Sequence, residues 1–231
     1  MALTDSLVAY YELEDATDSH GSYDLTNTGS TPFNTGKIGN GADFTPNDAL
    51  NNNSVMASKP FPRSFAGWAK FDDISSERTV FCIGDNSIHY YNFKCRSSDG
   101  NLVFRSNNNT QAADVDTGIT VITGTWYHWV VVQNSTTSVT IYIDNVKTND
   151  AATTFIANVD KFWVGYLGRS SVWYMDGIVD EVGIWTRAIT SDEVSDLYNS
   201  GSGLAYPLTV VGDSYSPTPL LHLMQIAGGL I

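Results

Sequence analysis

The chain is poor in sulfur and in charge: 231 residues hold two cysteines, four methionines and only 16% Asp, Glu, Lys and Arg. Two cysteines exclude a scaffold built on a framework of disulfides. Basic residues number twelve against 25 acidic ones, for a formal net charge of −13 and a pI near 4.4. So acidic a surface repels phosphate and excludes general nucleic-acid or anionic-membrane binding. No run approaches the ~18 apolar residues of a membrane span. Met1-Ala-Leu-Thr-Asp5 has neither the basic nor the apolar region of a secretory leader. With no signal peptide seen, synthesis in the cytoplasm is expected.

What is present is strand-rich. Asn, Ser, Thr and Gly fill the gaps between apolar runs, as a turn-rich β protein requires. Gly177–Tyr198 (GIVDEVGIWTRAITSDEVSDLY) opens as a strand, with Ile178, Val179, Val182, Ile184 and Trp185 around the acidic pair Asp180 and Glu181. It then switches period: Thr190-Ser-Asp-Glu193 is a capping box, Val194, Leu197 and Tyr198 follow at helical spacing, and Gly201 and Gly203 stop the helix. Four further motifs precede it: Leu7–Leu13 (LVAYYEL), Gly36–Phe44 (GKIGNGADF), Ser64–Phe71 (SFAGWAKF), and Trp126–Val132 with Val139–Val146.

In this order, the five motifs resemble laminin-G-like domains, the concanavalin A-like jelly rolls, over residues 7–206. The expected fold is all-β, a two-sheet antiparallel jelly-roll sandwich with one short C-terminal helix. The domain is placed at 1–206 and an apolar tail at 207–231. Trp68, Trp126, Val130, Val132, Ile141, Ile143, Ile184 and Trp185 should be largely buried. Trp126 and Trp129, three apart, belong to opposite strand faces. If Gly84–Ser87 is a turn, Cys82 and Cys95 lie ~20 Å apart, too far to bridge. Both are expected to be buried free thiols.

The resemblance admits glycanases whose strand carries Glu-x-Asp-x-x-Glu, which aims two carboxylates into one cleft with a third as general acid. That spacing does not occur. Glu12 and Glu14 are followed by Thr17 at the third place, and Asp114 and Asp116 by Ile119. His20, His89, His128 and His222 show no metal-ligand spacing. Gly36-Lys37-Ile38-Gly39 lacks the length and the Ser or Thr of a phosphate loop and reads as a turn. The chain is therefore read as non-catalytic. Calcium is the one cofactor weighed, because sandwiches of this kind often hold it. The candidates by position are Glu14, Asp43, Asp48 and Asp180, although Asn47–Asn53 is diluted in charge. The competing reading makes Asp180 and Glu181 capping or salt-bridging groups.

Two surface constellations stand out. Asp99-Gly100 signals a type I′ hairpin; a two-residue loop would pair Arg96 with Val103 and Lys94 with Arg105. Tyr91, Phe93, Cys95, Leu102 and Phe104 would then face the core, with Lys94, Arg96 and Arg105 on the other face. Such a basic patch either receives an acidic glycan or acidic partner subunit, or is neutralised by Asp or Glu of its own sheet. The second constellation is Tyr166–Tyr174, where Tyr166, Arg169, Trp173 and Tyr174 would form a platform stacking on sugar rings. One aromatic of this stretch is expected to pack inward instead.

Residues 207–231 contain Pro207, Pro217 and Pro219, no charge after Asp213, and an apolar end, Leu220–Ile231. Too short to span a bilayer, this tail is expected to bury itself, either on its own domain or, the favoured reading, against other protein subunits of an assembly. Laminin-G-like domains occur in phage and other virion surface proteins. The expected function is thus a structural, lectin-like module on a virion or other extracellular surface, attaching to glycans or a host. A free, calcium-dependent carbohydrate-binding lectin is the alternative, and a glycan-cleaving enzyme the third reading.

Overall fold

Short runs of β-branched and aromatic residues, punctuated by Gly, Asn and Asp, build a strand sandwich in the computed structural model, which describes residues 1–85, 89–153, 159–169 and 173–210. In chain order the strands are β1 (Leu7–Tyr11), β2 (Thr26–Thr28), β3 (Phe33–Thr35), β4 (Asn40–Phe44), β5 (Ala49–Asn52), β6 (Arg63–Phe71), β7 (Arg78–Gly84) and β8 (His89–Cys95). They continue as β9 (Asn101–Asn108), β10 (Ala112–Thr120), β11 (Trp126–Ser135), β12 (Ser138–Ile143), β13 (Val146–Ala152), β14 (Lys161–Val164) and β15 (Gly177–Trp185). The helix α1 (Ser191–Tyr198) follows. One sheet has eight strands in the order β13-β12-β11-β6-β15-β4-β3, with β1 also on β15; the other has seven, β10-β9-β8-β7-β14-β5-β2. The paired strands are antiparallel throughout. The fold is the expected jelly-roll sandwich.

The inner faces meet on stacked rings: Phe65 lies 5.0 Å and Trp129 4.9 Å from Phe81 between centroids. Trp129 stands opposite Gly67 on β6. A methyl at Gly67 would come within 2.7 Å of the Trp129 ring, so the absent side chain makes room for the indole. Seven of the eight expected core residues are buried. Trp126, at the start of β11, is half-buried, with Lys70 Nζ 5.5 Å from its ring. Tyr127, Trp129 and Val131 form the inner row, while Val130 and Val132 line the opposite face.

That opposite face is covered by α1. Thr190 accepts from the Glu193 amide and Glu193 accepts from the Thr190 amide, the capping box expected from the sequence. Val194 and Leu197 pack with Tyr10, Val130, Val132 and Trp185. The same cluster includes Leu208, 4% exposed, with Tyr206 and Val210 against it. Among the described residues, packing on the domain therefore continues past residue 206 through Leu208 and Val210. Residues 211–231, including Leu220–Ile231, lie outside the described residues.

Two register expectations change. Lys94 pairs with Val103 and Asn92 with Arg105, two residues from the expected pairing. The connection is wider than a two-residue loop. The Arg96 amide donates to the Asn101 carbonyl, and Asp99 accepts from the Asn101 amide and the Arg96 guanidinium across it. A slip of two keeps each side chain on its face, so Tyr91, Phe93, Cys95, Leu102 and Phe104 still enter the core. Cys82 pairs with Asn92, three residues before Cys95 on β8, so the two cysteines lie ~10 Å apart along the strands rather than ~20 Å. Both thiols are free and buried, Cys82 on the outer face and Cys95 in the core.

Candidate functional site

The outer face of the seven-stranded sheet carries the site. On β8, Asn92 and Lys94 point outward, and on β9 so does Arg105; successive strands bring these polar groups side by side. The segment between β14 and β15 crosses above them. Leu167 packs on Cys82, Tyr90 and Trp163, with Tyr166 and Trp173 against the cluster. Lys94 Nζ lies 4.5 Å and the Arg105 guanidinium 5.7 Å from the centre of the Trp173 ring. The two sequence constellations, basic patch and aromatic loop, thus meet at Trp173. Tyr166 and Tyr174 stack at 4.6 Å beside it. Met175, not an aromatic, is the residue that turns into the core.

Two expected members go elsewhere. Arg169 lies 5.8 Å from the Tyr90 ring rather than near Trp173. Arg96 pairs with Asp99 and Asp116 at the hairpin end, and at 3.7 Å shares Asp114 with Arg105.

Beside Trp173 and Tyr174 opens a groove of about 440 Å³. Glu77 and Arg78 at the start of β7 form one wall, with the hydroxyls of Ser75, Ser76 and Ser97 around it. Sequence reasoning missed these residues. No local motif marks them, and they reach Trp173 only through the pairing of β7 with β8.

The charges here are answered within the chain. Lys94, its side chain 1% exposed, pairs with Glu77. Burial pushes its ammonium pKa down while Glu77 opposes the shift. Arg105 contacts Asp114 at 3.0 Å, and Arg78 pairs with Asp73 and, at 3.5 Å, with Asp176. The hydrogen bond from Arg78 holds Asp73 below the usual carboxylate range, whereas burial raises Asp176. Asp114 belongs to β10 of the same sheet and Glu77 immediately precedes β7, whereas Asp73 and Asp176 lie in the connections after β6 and before β15. Three cations and four carboxylates leave the groove close to neutral, and the Ser75 and Ser97 hydroxyls donate to Asp73 and Glu77 at its wall.

Each of the four calcium candidates accepts hydrogen bonds from the chain, and Glu14 and Asp180 flank the same turn. Glu14 Oε1 accepts from the Asn40 amide at 2.9 Å, and Asp180 Oδ2 from the Lys37 and Ile38 amides at 2.7 and 3.0 Å. Asp48 caps Thr45, and Asp43 accepts from the Asn34 side chain. Amide hydrogens thus take up acceptor positions on these carboxylates that a cation would otherwise use. Among the described residues no three His, Cys, Asp or Glu side chains form a metal-binding group. Asp180 and Glu181 instead sit at a bulge in β15, where Glu181 adopts a left-handed φ of 53° and accepts from the Tyr10 hydroxyl. Asp180 thus caps the Lys37 and Ile38 amides, while Glu181 is held by a phenol.

Among the described residues no helix is long and apolar enough to cross a membrane. A family model described as the concanavalin A-like lectin/glucanases superfamily, of laminin-G type, matches residues 39–195. Domain 4 of AbnA, a GH43 extracellular arabinanase from Geobacillus stearothermophilus solved with arabinotriose, is similar in structure. It shows a TM-score of 0.73 at 22% identity and covers 83% of this chain and 97% of that one. The binding domain of Paraclostridial Mosquitocidal Protein 1 gives 0.66 at 19% identity, covering 85% of this chain and 52% of that one. A botulinum neurotoxin type C structure, whose cell entry depends on two ganglioside molecules, gives 0.64 at 13%. This chain spans about half the length of both toxin chains. At these identities the likeness is one of fold. Among proteins of curated function, none matches the sequence.

Proposed function

The chain belongs to the concanavalin A-like lectin/glucanase superfamily, and from that premise we propose that it is a non-catalytic module binding neutral glycans in the Trp173 groove. The observation that carries this reading is the placement of Trp173. Its half-buried ring rests on Lys94 and Arg105 at the edge of a groove whose walls present serine hydroxyls and paired charges. Cations beneath an aromatic ring fix its plane. A ring held in this way stacks on the C–H face of a sugar at little ordering cost, while Ser75, Ser97 and Glu77 meet its hydroxyls. Glycan hydrolysis calls for two carboxylates flanking the bond. Among the described residues Glu77 is the one acidic side chain lining this groove, and Lys94 pairs with it. Asp180 and Glu181 belong to the other sheet, beside α1.

The ligand classes in the related structures, arabinotriose and gangliosides, support a glycan as the first class to test. The wider role we propose is display. The domain would sit on the surface of an assembly such as a phage particle, joined to other subunits by the tail beyond Val210, and attach that assembly to surface glycans. This part rests on the apolar sequence of the tail.

A printed array of neutral and acidic oligosaccharides, arabinotriose included, tests the binding reading. Retention of neutral members, lost in Trp173→Ala, is the expected result. Binding restricted to acidic members, or unaffected by Trp173→Ala, overturns it.

A further inference from the structure

At the end of the sandwich away from the Trp68 side, β6 and β11 present an arginine and a glutamine directly opposite each other, Arg63 and Gln133. Both lie on the inner face, in line with Phe65 on β6 and with Trp129 and Val131 on β11. Arg63 is 2% exposed and Gln133 1%. Arg63 Nε donates to Gln133 Oε1 at 2.6 Å, which fixes the orientation of the amide. Two donors are then left over: Arg63 Nη2 and Gln133 Nε2 are both buried without a hydrogen-bond partner among the described residues. Among the described residues no carboxylate pairs with Arg63, in contrast to Arg78, Arg96, Arg105 and Arg187.

A buried guanidinium without a counter-charge is costly, and each orphaned buried donor adds to that cost. Aromatic rings offset part of it: the guanidinium lies 4.5 Å from the Phe61 ring, 5.7 Å from Tyr91 and 6.0 Å from Phe65. Ring faces attract the cation but leave both N–H groups unsatisfied. Both orphaned groups are donors, so the missing partner is an acceptor. A water would accept from them but leave the positive charge, and its own two hydrogens would need acceptors of their own. An anion answers the donors and the charge together. At 1–2% exposure, only an ion small enough to be enclosed fits.

We propose that Arg63 and Gln133 bind a monatomic anion, chloride in physiological solution, between the two sheets, cross-linking β6 to β11. Burial, which lowers the Arg63 pKa to about 10, is the cost such an ion relieves. The site is independent of the glycan groove, so either can fail without the other.

The test is thermal unfolding of the full chain in sodium chloride and in sodium gluconate, whose anion is too large to enter, at equal ionic strength. The expected result is a higher Tm in chloride that saturates with concentration, and no difference between the salts for Arg63→Met. Equal Tm values for the wild-type chain in both salts, or an equal chloride effect in Arg63→Met, overturn the proposal. Should Arg63→Met fail to fold, crystals of the wild-type chain grown in bromide decide the question. An anomalous peak touching both Arg63 Nη2 and Gln133 Nε2 supports the site, and a water or no density there refutes it.

Discussion

Lys94 Nζ sits 4.5 Å from the centre of the Trp173 ring while paired with Glu77, so one buried ammonium holds both a wall and the aromatic edge of the groove. Because Lys94, Arg105 and Arg78 are each answered by carboxylates of the same chain, no net attraction remains for an acidic ligand. Glycan affinity should therefore change by less than about twofold between low and physiological salt, where exposed charge pairs would be screened. Titrations at two ionic strengths check this; a steep loss with salt would point to an acidic ligand.

Stability should fall as pH rises through neutrality. Burial pushes the Glu181 carboxyl up to about 8 and Asp180 up to about 7, with the amides of Lys37, Ile38 and Glu181 pulling Asp180 the other way. A carboxyl whose folded pKa lies above its unfolded value holds its proton more tightly in the folded state. Its contribution is greatest below the ordinary carboxylate range and is lost as pH rises from about 4.5 to about 8. Chemical denaturation across that range should show a declining stability that is flatter in Glu181→Gln. An identical slope in both proteins would contradict the assignment.

The core makes a sharper demand at Gly67, where a methyl would meet the Trp129 ring at 2.7 Å. Gly67→Ala should destabilise the domain by about 1–3 kcal/mol through overpacking, measured as a lower urea midpoint. No change would mean that the indole yields freely.

Truncation locates the end of the domain. Leu208 is buried with Leu3, Trp185 and Leu197, and burying such a side chain stabilises by about 1.5–3 kcal/mol. A chain ending at Val210 should unfold at the wild-type temperature, and one ending at Tyr206 several degrees lower. Equal values for the two would restore the shorter boundary.

How far these features were legible in the sequence depends on how local they are. The capping box at Thr190 and Glu193 and the alternation in β6 and β11 are written in adjacent residues, and with the motif order they were enough to place the sandwich and its helix. Trp173, Tyr174, Lys94 and Arg105 were legible as two separate candidates, because residue type and face parity marked them. Their meeting was not, since it depends on how the segment before β15 crosses the sheet. Glu77 and Ser97 carry no signal of their own. The Asp99 loop was misjudged in length because an Asp-Gly pair suits both a two-residue turn and the wider connection that Arg96 and Asn101 close. Asp180 and Glu14 stood out as metal candidates because acidity is visible in a sequence, whereas the amides that donate to them are visible only in the fold.

The most direct test of the binding site is an NMR titration of the labelled chain with a neutral oligosaccharide selected on the array, following the indole N–H signals of its six tryptophans. The Trp173 signal, identified by its loss in Trp173→Ala, should shift in proportion to occupancy, while those of buried Trp129 and Trp185 stay in place. A saturating shift at another tryptophan, with Trp173 unmoved, would contradict the account.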